Sequence, residues 1–194
     1  MTVRPSSDPT AADWLVHADR DWWDLATRGP LGYESYARLR FIPDPTHADQ
    51  REGEAEIPYD ERSETDQLAM VVATLAKHTT TPADCYFCVW EGWGGLEVHG
   101  AARIHLPERE AFLFRGPALD LLRWEQALDP PGPEGLPIPS FVWPADRAWC
   151  IANDIDPHFA TIGASSAAIN DVLADRRVDT VIDDPDRPQP WYSH

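Results

Sequence analysis

Apolar side chains recur at helical spacing through the first part of the chain. From Ala11 to Thr27 they put Trp14, Leu15, Ala18, Trp22 and Leu25 on one stripe, which predicts a helix. Thr10 stands at its cap with Asp13 in the capping-box position, and Gly29-Pro30 stops it. Val16 and Trp23 lie nearly opposite the stripe, so either a second element covers that side or Trp23 is open to a partner. From Tyr33 to Ile42 the period drops to two. Ala37, Leu39 and Phe41 alternate there with Arg38 and Arg40, the pattern of a half-buried strand. Pro43 to Pro58 reads as a loop rich in Pro, Asp and Glu. A second helix starts at Ser63 with Asp66 in the box position. It presents Leu68, Val71, Val72, Leu75 and Ala76 on one face and ends at Thr79-Thr80-Thr81-Pro82.

Beyond this point short strands dominate. Cys85 to Trp90 is apolar on both faces, as a central strand covered on two sides must be, and Gly92, Gly94 and Gly95 mark the turn after it. Ala101 to Leu106 and Glu110 to Arg115 read as further strands, and Ala118 to Leu128 as a short helix. Asp129 to Pro139 holds five prolines and reads as an extended connector. Phe141 to Trp143 and Ala148 to Ile155 flank a Pro-Ala-Asp-Arg turn, a helix follows from Ser166 to Arg176, and Val178 to Ile182 suits an edge strand. The expected fold is α+β, one domain with a mainly antiparallel sheet of about five or six strands and about three to four helices. The expected boundaries are a disordered N-terminus at 1–10, the domain at 11–182 and a C-terminal tail at 183–194.

Charge narrows the partners. The 194 residues carry a formal net charge of −17, and Lys77 is the only lysine among 16 basic residues. Duplex nucleic acid and anionic membrane surfaces are poor partners for such a chain, because binding them relies on clustered Lys and Arg. A basic protein, a cation or a neutral small molecule fits better. No apolar leader or membrane-length apolar run is visible, and three cysteines, an odd number, suggest reduced thiols in the cytoplasm. The sequence carries no signal for oligomeric state.

Candidate chemistry is sparse. Cys85-Tyr86-Phe87-Cys88 has the spacing of zinc and redox sites, but in a strand its two thiols point to opposite faces, so two buried thiols are the better reading. Asp154-Ile155-Asp156-Pro157-His158 sets two carboxylates and an imidazole at alternate positions. They suit a divalent cation if the strand continues, with His78 or His99 as further ligands, whereas Pro157 argues for a turn. Phe159 to Ile162, then Gly163 to Ala167 and a helix, imitate the strand–elbow–helix setting of a nucleophile at Ser165, yet Ala167 replaces the second glycine and only His194 follows. A helix cap is the plainer role for Ser165 or Ser166. No cofactor is called for.

Nine tryptophans are the strongest compositional feature. Trp93 stands among glycines beside Glu91, a setting for an aromatic platform or for a plug at the end of the core. Asp146-Arg147 sits in a turn between Trp143 and Trp149, where it can recognise a partner or fix the hairpin as a local ion pair. Four stretches carry a resemblance: His78 to Pro82, Cys85 to Gly94, Phe114 to Pro117, and Trp143 to Cys150 followed by Asp154-Ile155-Asp156. In them the chain resembles a family of uncharacterised actinobacterial proteins. The resemblance implies a cytoplasmic protein of high-GC bacterial origin and no particular activity. The function expected is non-enzymatic binding of a basic protein, in the manner of small acidic immunity proteins. Trp93, Glu91, Trp143, Asp146, Arg147 and Trp23 are its candidate residues. The alternatives are a metal-assisted hydrolase using Asp154 and Asp156, and a small-molecule binder using Trp93.

Overall fold

The computed structural model describes residues 3–57, 62–93, 98–126 and 136–193. Its strands are β1 (Arg4–Pro5), β2 (Ser35–Arg40), β3 (Cys85–Trp90), β4 (Arg103–His105), β5 (Glu110–Gly116), β6 (Phe141–Pro144), β7 (Trp149–Ala152), β8 (Phe159–Ala164) and β9 (Thr180–Asp183). All nine join one antiparallel sheet in the order β1-β5-β3-β6-β7-β8-β2-β9, with β4 beside β1 on the outer edge of β5. The α-helices are α1 (Asp13–Val16), α2 (Trp22–Arg28), α3 (Glu64–Leu75) and α4 (Ser166–Ala174), and Ala118–Gln126 forms a longer 3-10 segment.

This corrects the expectation of five or six strands and three to four helices: the sheet has nine strands, and four α-helices and the 3-10 segment make five helical elements. One strand lacks a sequence signal, and another carries a weak one that the elbow-like reading of Phe159 to Ile162 catches only in part. Arg4–Pro5 is too short to show a period, and its proline is tolerated because β1 lies on a sheet edge. Phe159–Ala164 is rich in Ala and Gly, which have little strand preference. Small residues are required there by packing: a Cβ on Gly163 would come within 2.4 Å of the Tyr33 ring. The predicted helix at 11–27 is broken. Asp8, not Thr10, caps a 3-10 turn at Pro9–Ala12, and Asp21 caps α2 by accepting from the Asp24 backbone N–H. Asp21 therefore starts a new helix in place of continuing the first. Chain order at the N-terminus starts early, since Val3 is buried and β1 is paired. The turn at 94–97, most of the proline-rich connector (127–135) and His194 lie outside the described residues.

Both faces of the sheet are buried. Phe87, Val89, Phe114, Val142, Trp149 and Ile151 share one face with α3, α4 and the 3-10 segment. Cys88, Leu113, Phe141, Trp143 and Cys150 share the other with Leu15 and Leu25 of α1 and α2. Two-sided burial explains the unbroken apolar run in β3, and it puts Cys85 and Cys88 on opposite faces as free thiols. Among the described residues no helix is long and apolar enough to cross a membrane.

The β8-β2-β9 end is closed by segments that carry little apolar patterning. Arg38, expected to face solvent, is 6% exposed. Its guanidinium donates to both oxygens of Asp44 (2.6 and 3.1 Å) and to Asp183 (3.2 Å). It also lies 4.9 Å over the Phe159 ring. Residues 184–193 cross this cluster. Trp191 packs on Phe159, Tyr192 packs on His158 and donates to the Pro43 carbonyl, and the Ser193 N–H donates to Gln50. His158 pairs with Asp44 at 3.2 Å, while Gln189 reaches Thr161 and Asp183. Partial burial pulls the Asp44 carboxyl upward, but hydrogen bonds from His158 and Arg38 outweigh it and hold the group well below the usual carboxylate range. Asp183 also faces Arg28 at 3.6 Å, so its loss takes a carboxylate from two buried guanidinium groups at once. Asp183→Ala is therefore expected to cost about 3–5 kcal/mol of stability, readable as a lowered midpoint in urea. A cost below 1 kcal/mol would mean the cluster is solvated and does not organise this end.

Candidate functional site

At the far end of β3 the chain folds an aromatic group around one arginine. Arg109, in the turn between β4 and β5, lies 4.7 Å over the Trp90 ring and 6.0 Å over that of Trp22 at the start of α2. The same guanidinium faces Asp154 at 3.5 Å and Asp156 at 3.6 Å, from the loop after β7. Trp93 stands edge-on to Trp90, with ring centroids 6.2 Å apart, and is 36% exposed. Gly92 lets the two rings sit this close: a Cβ there would fall 2.0 Å from the Trp90 ring, far inside van der Waals contact, so the ring would have to move. Next to this group Arg103 pairs with Glu91 at 2.7 Å and with Glu110 at 3.2 Å. Hydrogen bonding to Glu91, then to His105, holds the Glu110 carboxyl below its ordinary range. The result is a surface of indole faces and carboxylates, chemistry that recognises a cation.

The second tryptophan cluster is a structural clasp. Trp143 is buried, stacked on Tyr86 at 5.5 Å and edge-on to Trp14 at 5.9 Å, and Trp149 is buried on the opposite face, so neither is available to a partner. Asp146 does not pair with Arg147. It accepts from the Thr79 hydroxyl, the Thr80 hydroxyl and the Thr80 N–H, each at 2.7 Å, and from the Ala148 N–H at 3.1 Å. Its carboxyl is drawn upward by partial burial, yet these hydrogen bonds dominate and set it at about 2. The His78–Pro82 and Trp143–Cys150 stretches are thus one tied unit. Arg147 has a positive φ of 55° and lies 5.0 Å over Trp14, with its carbonyl accepting from Tyr33.

Other candidates separate. Trp23 is 46% exposed and packs on Trp191 at 5.2 Å, away from Trp93 in the fold's connectivity, on the side closed by residues 184–193. Asp154 and Asp156 face Arg109, His158 turns to Asp44, and His78 pairs with Asp171 at 2.8 Å. Among the described residues no group of three or more His, Cys, Asp or Glu is placed to hold a metal ion. Ser165 caps α4 through the Ala168 N–H, and Ser166 bonds Ser35 at 2.8 Å. Burial alone pushes the Cys88 thiol up, and burial first raises that of Cys85 to about 12, so both stay protonated.

Sequence reasoning singles out Trp93 and Glu91, in a cluster that includes Trp90, but not Trp22, Arg109 or Arg103 as their neighbours. Trp22 carries only the signal of a core stripe, and nothing in Pro107-Glu108-Arg109-Glu110 marks Arg109 as central. Comparison with protein-family models, curated proteins and solved structures finds no match.

Two outcomes are expected. Gly92→Ala displaces the Trp90 ring from Arg109, changing near-ultraviolet circular dichroism and tryptophan emission while the far-ultraviolet spectrum holds; unchanged aromatic signals would count against the packed arrangement. Asp146→Asn costs about 1–2 kcal/mol at neutral pH. Because the folded carboxyl is depressed, that contribution is complete above about pH 4 and is lost as pH falls toward the folded value. The stability gap between parent and variant should therefore close in acid, and a gap independent of pH would refute the clasp's charge.

Proposed function

We propose that this chain is a non-catalytic binding protein that takes a basic segment of a partner protein against the Trp90–Trp93 surface. The observation that carries the reading is Arg109 itself. The molecule already holds one guanidinium there between two indole rings and two carboxylates. Beside it Trp93 keeps an open face, and Asp156 and Glu110 remain about half exposed on the same surface. A second arginine or lysine, brought by a partner, meets the same chemistry on Trp93. The net charge of −17 draws such a segment in from a distance, and desolvated indole contact supplies the affinity. The commitment of Asp154 and Asp156 to Arg109, and of His158 to Asp44, gives this reading its advantage over metal-assisted hydrolysis.

The test is binding of an oligo-arginine peptide to the full chain, followed by calorimetry at low and high salt. Affinity should fall steeply with salt and drop about ten-fold or more in Trp93→Ala, the loss of one anchoring aromatic. Arg147→Ala, which removes a cation from the clasp at the opposite end of β3, should leave it unchanged. Binding indifferent to both salt and Trp93→Ala would sink the proposal.

A further inference from the structure

On the other side of the molecule, a cleft of about 970 Å³ opens between the end of β2, the first turn of α3 and the turn after α4. Its size is that of a small-molecule site, at roughly the upper end of the usual 300–1,000 Å³. Its charge runs against that of the whole chain. Arg40, Arg62, Arg176 and Arg177 all line it, four of the 16 basic residues of a strongly acidic protein. Phe41, Ile42, Ile57 and Val178 supply apolar wall.

Three side chains in this cleft carry polar groups without a protein partner among the described residues. Gln67, in the first turns of α3, is 8% exposed and lines the cleft, and among the described residues its amide has no hydrogen-bond partner, so it stays open to solvent and to a ligand. Arg40 Nε, in the same wall, is buried without a partner. Arg176 likewise has no ion-pair or hydrogen-bond partner among the described residues. The neighbouring charges are already matched: Arg40 by Asp44 and Asp179, and Arg177 by Asp175 at 2.6 Å. Those carboxylates fix the directions of their guanidinium groups and leave Arg176 to attract a negative charge. Glu64 also lines the cleft, and burial, then Glu52, raises its carboxyl, which lessens its opposition to an anion.

We infer that this cleft binds a small organic anion, with its carboxylate or phosphate monoester on Arg176, its apolar body against Ile42 and Val178, and a polar atom on the Gln67 amide. The inference is independent of the Trp93 surface.

Titration of the full chain by nuclear magnetic resonance tests it with four probes: 4-hydroxybenzoate, 4-hydroxyphenyl phosphate, 4-hydroxybenzyl alcohol and inorganic phosphate, the first three carrying a hydroxyl for the Gln67 amide. The aromatic anions should bind about ten-fold tighter than either the neutral alcohol or inorganic phosphate, with shifts at the methyls of Ile42 and Val178. Arg176→Ala, a change at an exposed side chain, should weaken aromatic-anion binding about ten-fold. Gln67→Leu keeps the volume and burial of the position and should weaken it as well, while a purely structural glutamine would leave binding untouched. Three results would overturn the inference: no binding of either aromatic anion, equal binding of inorganic phosphate, or affinity unaltered in both variants.

Discussion

Arg38 is a charge in the middle of a sheet, and its need for counter-charges governs how half of the molecule closes. A guanidinium taken out of water is tolerated only when it is paired and hydrogen-bonded on all sides. Asp44, Asp183 and the face of Phe159 meet that need here. Each comes from a different segment, so satisfying Arg38 fixes where the loop after β2, strand β9 and the start of β8 must lie. Residues 184–193 then seal the cluster with Gln189, Trp191 and Tyr192. An apolar residue at position 38 would pack more cheaply but would not select this arrangement.

The same device recurs across the structure and gives the acidic composition a second meaning. Asp84 takes Arg115 in a paired bond, Asp154 and Asp156 take Arg109, and Asp179 takes Arg40. Acids outnumber bases by 33 to 16, so with many of the described arginines provided with carboxylates an acidic excess still remains at the surface. The charge that steers a basic partner is what remains after internal pairing. Arg176 departs from this pattern, and the cleft it borders differs chemically from the indole surface at the end of β3.

What could be read from the chain alone depended on whether the signal was local. Ser63 and Asp66 form the capping box of α3 as a pair three residues apart, and the two-faced apolar run from Cys85 to Trp90 is a central strand. Both follow from contiguous residues. The break before Trp22 was not legible, because Asp21 reads equally well inside a helix or at its cap, and the choice depends on where Leu15 and Leu25 must pack. Strand β8 was legible only as far as Ile162; its continuation was obscured by Gly163, whose lack of a side chain answers to Tyr33, a residue distant in sequence. The candidate site divides the same way. Trp93 and Glu91 stood out within a glycine-rich turn, whereas the setting of Arg109 draws on positions 22, 90, 109, 154 and 156, which no spacing rule connects. Asp146-Arg147 looked like an ion pair because its neighbours in sequence were visible and its partners in the Thr79–Thr80 loop were not.

Strand order carries a consequence for how the chain is made. β2 lies between β8 and β9, and the Asp183 carboxylate that answers Arg38 follows it by 145 residues. β2 emerges early and stays without a strand partner until β8 and then β9 follow, while β3, β5 and β6 can pair before them. Over that interval Asp44, six residues on, is the counter-charge that Arg38 has close at hand. The interval before β8 and β9 arrive is when this half is most exposed to chaperones, proteases and aggregation.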